Sequence, residues 1–241
     1  MIKTELLKNV SHGFFTKDGG VSKNEFESLN CSYYNGDVED LVTQNLEIVR
    51  NKMNAKVLFT LKQVHGNDVI IVDKSNISQY KQTLEADALI TQDMNICLGI
   101  LTADCAPVLI YGTGIIAAVH CGWKSAKLDI IANVVSKISK LSPHVTLSAA
   151  IGPCAHVESY TVQNDFIERF NDKRFFDTYS DGVHFDLVRY VQAKLQQSGI
   201  QQIAIIDEDT VANTTNFFSY RRAQKHTNGI CGRQISVIML E

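Results

Sequence analysis

The chain has only three prolines and a single tryptophan in 241 residues, and no glycine- or proline-rich stretch that would serve as a linker. With no internal repeat or low-complexity segment either, one domain spanning residues 1–241 is the simplest organisation. Nowhere do about 18 consecutive apolar residues occur, which argues against a membrane-spanning helix. The opening MIKTELLKNVSHGFF has no apolar run of signal-peptide length, so the expectation is a cytoplasmic protein without membrane contact. An excess of one charge is also missing. A net charge of −3 leaves no basic stripe for a polyanion and argues against nucleic acid as a partner. Six cysteines are present (Cys31, Cys97, Cys105, Cys121, Cys154, Cys231) but no C-x-x-C pair. Zinc-ribbon and thioredoxin-like readings therefore lose their usual support, and in a reducing compartment the thiols stay free.

What is there is strand. VLFTL (57–61), DVIIVD (68–73), CLGILT (97–102), PVLIY (107–111), IIAAV (115–119), VTLSAAI (145–151), IAIID (203–207) and QISVIML (234–240) are rich in β-branched residues and bounded by polar residues or glycine. Several are apolar on both faces, which predicts sheets covered on both sides. Three stripes at helical spacing lie among them: Val42, Leu46, Val49 and Met53 behind an Asp37 cap; Ile131, Val134, Val135 and Ile138; and Leu187, Val188, Val191 and Leu195 between Asp186 and Gly199. Strands outnumber helices and do not alternate with them. The pattern predicts an α+β layered sandwich of mixed sheets flanked by helices, not a doubly wound nucleotide-binding fold.

The chemistry concentrates in LTADCAPVLIYGTGIIAAVHCGWKS (101–125). If PVLIY and IIAAV pair across Gly112-Thr113-Gly114, Cys105 and His120 become neighbours at the open end of a hairpin, although a slip of one residue would set Cys121 there instead. Pro107 supports a strand beginning just after Cys105, because a first-residue proline withholds no ladder donor. An isolated cysteine is most often a small buried hydrophobe; Asp104 and His120 beside this one weigh against that. His65, in QVHG, is also at a strand end. Two imidazoles and a thiolate are a zinc ligand set with one position open, but the spacing is not that of a local motif, and His12, His144, His156, His184 and His226 compete with it. Asp104 and Asp87 are candidates for orienting a ligand histidine, with a plain turn or cap role the better reading of Asp87. In NFFSYRR (216–222), read as a strand, the Arg221-Arg222 pair can grip an anion, with alternation sending only one of them to the site. Phe217, Phe218 and Tyr220 could flank a flat aromatic ligand, though an aromatic strand is more often core.

HGFFTKDGGVS (12–22), SLN (28–30), QVHG (63–66), ADALIT (86–91), LTADCAPVLI (101–110), AAVHCGWKS (117–125), IGPC (151–154) and FFSYRR (217–222) occur in the order in which they stand in the YfiH family of laccase-domain proteins, which the chain resembles over nearly its whole length. The resemblance implies a layered fold related to cysteine deamidase toxins, and a zinc site on His65, Cys105 and His120, with copper as the other candidate metal. Members of the family were first described as copper polyphenol oxidases. They are now described as purine nucleoside phosphorylases, transferases that also act on methylthioadenosine and deaminate adenosine. The expected partners are therefore purine nucleosides and phosphate, in a monomer or homodimer. The expected catalytic residues are Cys105, His120, Arg221 and Arg222; the expected substrate-binding residues are His12, Asn30, Lys124 and Ser219. The chain departs from the family where Lys124 and Ser125 replace arginine and glycine, where Lys17 replaces arginine, and in a longer loop at 223–231. Lysine keeps the charge but loses the planar fork that grips phosphate at two points. Two other readings are a metal-free Cys-His hydrolase or deamidase and a copper oxidase, the latter short of ligands for several coppers.

Overall fold

The computed structural model describes residues 1–78 and 84–241. In chain order the strands are β1 (Ser11–Phe14), β2 (Val57–Phe59), β3 (Val69–Ile71), β4 (Ala88–Thr91), β5 (Ile96–Thr102), β6 (Ala106–Gly112), β7 (Ile115–Cys121), β8 (Ser148–Ile151), β9 (Thr161–Val162), β10 (Phe176–Tyr179), β11 (Gly182–Phe185), β12 (Gln202–Ile205) and β13 (Gln234–Met239). The helices are α1 (Glu39–Lys52), α2 (Trp123–Lys127), α3 (Ile130–Leu141), α4 (Asn164–Ile167), α5 (Leu187–Gln197) and α6 (Tyr220–His226). Each strand run read from the sequence holds a strand, and the three amphipathic stripes lie on α1, α3 and α5.

A six-stranded mixed sheet has the order β12-β8-β6-β7-β4-β3, a four-stranded sheet the order β1-β13-β5-β2, and a small sheet the order β10-β11-β9. Alternation divides the six-stranded sheet between two cores. Leu89, Leu109, Ile116, Ala118 and Ala150 pack with Phe14, Phe59, Leu98, Ile100 and Ile238 of the four-stranded sheet. Ile90, Val108, Ile110, Ala117 and Val119 face the other way, onto Ile131, Val134 and Ile138 of α3 and Leu187, Val191 and Leu195 of α5. On the far side of the four-stranded sheet, Leu101, Ile235, Val237 and Met239 meet Val42, Leu46 and Val49 of α1. The result is helix, sheet, sheet, helix, the layered α+β sandwich expected. Two central sheets covered on both sides are why β5, β6 and β7 read as continuous apolar runs. No helix among the described residues is long and apolar enough to cross a membrane.

Some local expectations need correction. Asp37 does not cap α1; the cap position is Val38. The Asp37 carboxylate instead takes the Val38 amide (2.8 Å), the Ser22 hydroxyl (2.6 Å) and the Asn30 amide group (2.9 Å), tying the preceding loop together. Asp186 does cap α5, accepting from the Arg189 amide at 2.8 Å. The NFFSYRR segment is not a strand. Ser219 accepts from the Arg222 amide at 3.1 Å and starts α6, so Arg221 and Arg222 leave in helical directions and not on opposite sheet faces.

Candidate metal centre

The β6–β7 hairpin pairs Pro107 with His120 and Ala106 with Cys121, and Gly112 with Ile115 around a Thr113-Gly114 turn. Cys105 is therefore not directly opposite His120. It stands one step beyond the strand, on the same face as Pro107, and meets His120 diagonally, while the next residue, Cys121, is buried in the α3 and α5 core. The third member arrives from elsewhere in the fold. Between β2 and β3 the chain turns at His65 through a left-handed φ of 59°. Gln63 pins this turn to β5 as a backbone would, donating to the Leu101 carbonyl and accepting from its amide, both at 2.7 Å.

His65, Cys105 and His120 each offer a ligand atom, all within 4.8 Å of one another. Cys105 Sγ lies 3.9 Å from His65 Nε2, and the two imidazoles meet edge to face with centroids 4.7 Å apart. Zinc with ordinary Zn–N and Zn–S bonds needs ligand atoms about 3.4–3.6 Å apart, so a small inward movement would close the set. The crowding at Gly122 also fits a converging cluster: a Cβ there would lie 3.0 Å from Cys105 Sγ and 3.2 Å from His65 Cδ2.

One buried carboxylate organises both histidines. Asp87 Oδ1 accepts from His120 Nδ1 at 2.7 Å and from the His65 amide at 2.9 Å; Oδ2 accepts from the Gly66 amide at 2.6 Å and the Val64 amide at 3.2 Å. With Nδ1 engaged, His120 presents Nε2 as its remaining ligand atom. Burial pushes the Asp87 carboxyl up, but the His120 contact and the loop amides outweigh it and hold it below the usual carboxylate range. Burial likewise pushes the Cys105 thiol up, and the charges and hydrogen bonds of His120 and His65 bring it down to about 6. Against burial, Cys105 and Asp87 raise His120 to about 9.

Of the two aspartates that the sequence offers for orienting a ligand histidine, Asp87 takes that role, not the plain turn or cap role, and Asp104 does not. Asp104, at φ 86°, turns its carboxylate away from the cluster to Thr210 Oγ1 (2.8 Å), Ser219 Oγ (2.9 Å) and the Arg221 amide (2.6 Å). It anchors the start of α6 one residue before Cys105. Arg221 consequently lies over the Tyr160 ring, 3.9 Å from guanidinium carbon to centroid, and donates to the Thr161 carbonyl. Arg222 is spent on backbone, donating to the carbonyls of Thr210 (2.9 Å), Val211 (2.8 Å) and Phe217 (2.5 Å).

Two clefts meet at the cluster and share His65, Ala103, Cys105 and Tyr220. The larger, about 800 Å³, carries Trp123, Lys124, Tyr160, Arg221 and Lys225. The smaller, about 420 Å³, carries Tyr34, Asn35, Thr102 and Arg233. Lys124 and Arg221 thus reach a cleft wall, and Arg222 reaches it with its guanidinium bound to carbonyls. Three expected binding residues do not line either cleft. His12 is 2% exposed, its ring between the Val10 carbonyl (3.1 Å) and the Thr4 amide (3.0 Å). Asn30 is a buried clasp behind the smaller cleft, donating to Asn35 Oδ1 and Asp37 and accepting from Asn35 and the Arg233 amide. Ser219 is the α6 cap. Phe217 and Phe218 are core, while Tyr220 is 44% exposed. Gln63, Tyr34, Tyr160 and Arg233 were missed; only the position of Gln63 inside QVHG signalled its place.

An α+β sandwich with a two-histidine, one-cysteine cluster at the open end of a central hairpin defines the class of protein. Residues 11–241 match the family described as multi-copper polyphenol oxidoreductase laccase. The chain is 33% identical over 226 residues, 90% of its own length and 85% of the relative, to a protein of Rickettsia conorii named purine nucleoside phosphorylase RC0672. It is 30% identical over 243 residues, 98% of its length and 96% of the relative, to one of Shigella flexneri named purine nucleoside phosphorylase YfiH. The crystal structure of the hypothetical protein YfiH of Bacillus licheniformis superposes with a TM-score of 0.87 at 28% identity, covering 98% of this chain and 94% of that one. The chain belongs to the YfiH family of laccase-domain proteins.

Proposed function

We propose that residues 1–241 act as one catalytic unit, a zinc-dependent purine nucleoside phosphorylase cleaving adenosine, inosine, guanosine or methylthioadenosine. The observation that carries this reading is a cleft in which Lys124, Arg221 and Lys225 line the approach to Cys105 and His65. None of these three cations forms an ion pair among the described residues. Unpaired cations beside a metal-type cluster suit inorganic phosphate. Relatives named purine nucleoside phosphorylase supply the substrate class.

In this reaction a hydrogen phosphate oxygen bonds to the ribose anomeric carbon as the bond from that carbon to N9 breaks. The electron pair leaves with the purine, which takes up the proton that phosphate loses. Arg221, held rigid by Tyr160 and Thr161, with Lys124 and Lys225, holds the phosphate. His65, Cys105 and His120 would hold the metal, with Asp87 fixing the His120 imidazole and the His65 backbone; zinc bound there would supply a Lewis acid for an oxygen of phosphate or nucleoside. The same centre is the proposed seat of adenosine deamination. His65, Cys105 and His120 are the one metal-type cluster among the described residues, which leaves several coppers without sites.

The test incubates metal-analysed protein with each nucleoside, with and without phosphate, and separates the products. Phosphorolysis gives free purine and ribose 1-phosphate only when phosphate is present. Free ribose at any phosphate concentration would mark a hydrolase instead, and inosine formed from adenosine would mark the deaminase.

A further inference from the structure

Two edges of the ligand triangle have an evident tie. His65 and His120 are joined through Asp87, which accepts from the His65 amide and the His120 ring. Cys105 and His120 are joined by the register of the β6–β7 hairpin. The third edge, from His65 to Cys105, crosses from one central sheet to the other. His65 is also the most exposed of the three ligands, and Asp87 holds its backbone and not its ring.

The four-stranded sheet runs out at this edge. β2 pairs with β5 only as far as Leu98, whereas β13 accompanies β5 on its other side to Thr102. By Lys62 the chain has crossed to the segment that leads into β4: the Lys62 amide donates to the Leu84 carbonyl at 3.0 Å, and its carbonyl accepts from the Ala86 amide at 3.3 Å. Leu101, 8% exposed, then has no strand beside it on the β2 side. A buried amide and carbonyl without partners are costly. The Gln63 side chain fills the gap, Nε2 donating to the Leu101 carbonyl and Oε1 accepting from its amide, both at 2.7 Å. A carboxamide presents donor and acceptor side by side, as a neighbouring strand would. Gln63 stands two residues before His65, and Leu101 four residues before Cys105. This pair of bonds therefore clamps the segment carrying one ligand to the segment carrying another.

We propose that Gln63 is a positioning residue for the metal centre: its clamp on Leu101 sets the separation of His65 from Cys105 and closes the ligand triangle before a metal arrives. Gln63 acts through His65 and itself ligates nothing. The assignment rests on the metal reading of the cluster and holds whichever reaction the centre performs.

The test is a double-mutant cycle read by zinc binding. Zinc affinity is measured by chelator competition in the wild type, Gln63→Ala, Gln63→Glu, His65→Ala and Gln63→Ala combined with His65→Ala, with unfolding of the metal-free proteins followed in parallel. Gln63→Glu keeps the length of the side chain but turns a carboxylate oxygen, with no proton to donate, onto the Leu101 carbonyl. Both Gln63 variants are expected to bind zinc about 10- to 100-fold more weakly, and the Leu101 amide to exchange its hydrogen faster in the metal-free protein. A residue that acts through His65 has nothing further to lose once His65 is gone, so the double variant is expected to bind zinc within about twofold of His65→Ala. Should Gln63→Ala fail to fold, the same cycle is run on Gln63→Glu. Wild-type zinc affinity in a folded Gln63 variant overturns the assignment, and so does a double variant in which the two losses add, the mark of general loosening. A wild type that takes up no zinc removes the metal reading and the assignment with it. A wild type that binds zinc but releases free ribose removes the phosphorylase reading and leaves the role of Gln63 standing.

Discussion

Four hydrogen bonds converge on Asp87, and each of its oxygens faces only donors. That is why the carboxylate cannot be replaced by its neutral isostere. In Asp87→Asn the new amide group must point either at His120 Nδ1 and the His65 amide or at the Gly66 and Val64 amides, donor against donor in both orientations. Both ligand histidines should lose their orientation together. Zinc affinity, measured by competition with a chromophoric chelator, should fall about 10- to 100-fold. Affinity equal to that of the wild type would mean that the cluster is held in place without this residue. Nothing local in ADALIT marks Asp87, since its partners lie 21 to 33 residues away along the chain.

At the scale of elements, α6 separates two arginines that are adjacent in sequence. Arg221 is placed by Tyr160 and the Asp104 contact to face the cleft, whereas Arg222 joins the 210–211 turn to the Phe217 strap through three carbonyls. The two alanine variants should therefore fail differently. Arg222→Ala removes charge-assisted bonds and leaves carbonyls unpaired, and should lower unfolding stability by about 2–4 kcal/mol in a denaturant titration. Arg221→Ala should stay within about 1 kcal/mol of the wild type and raise the phosphate KM about 10- to 150-fold, the equivalent of one charge-assisted contact. Equal losses of stability in the two variants would contradict this division. Ser219 followed by YRRAQKH carries a helix start, an N-cap and then helix formers, but the aromatic run before it reads as strand when taken alone.

At the scale of the whole molecule, the cluster joins separate parts of the fold. His120 belongs to the six-stranded sheet, Cys105 precedes it, and His65 follows a strand of the four-stranded sheet. A metal held by all three binds the folded chain and not the unfolded one, so it adds stability by mass action. With free zinc at about 100 times Kd the gain is about 2.7 kcal/mol. For a chain of this size that is a fall in Tm of about 5–10 °C when a chelator removes the metal, restored by adding zinc back. A Tm that ignores both chelator and zinc would show that the folded chain does not hold metal at this cluster.

Much of the architecture was determined by the sequence alone, because strand and helix faces are written with periods of a few residues. The eight strand runs, the stripes on α1, α3 and α5, the covered sheets and the β6–β7 hairpin were all legible, as was the candidacy of His65, Cys105 and His120 by ligand type. The tertiary structure alone decided the rest. The hairpin register put Cys105 diagonal to His120 and sent Cys121 into the core. Packing of distant segments gave Asp87 to the histidines, Asp104 to a helix 115 to 117 residues away, and His12 and Asn30 to the scaffold. A side chain's type states what it can bond, but its partner is whichever group the closing of two sheets brings within about 3 Å, and no local periodicity encodes that.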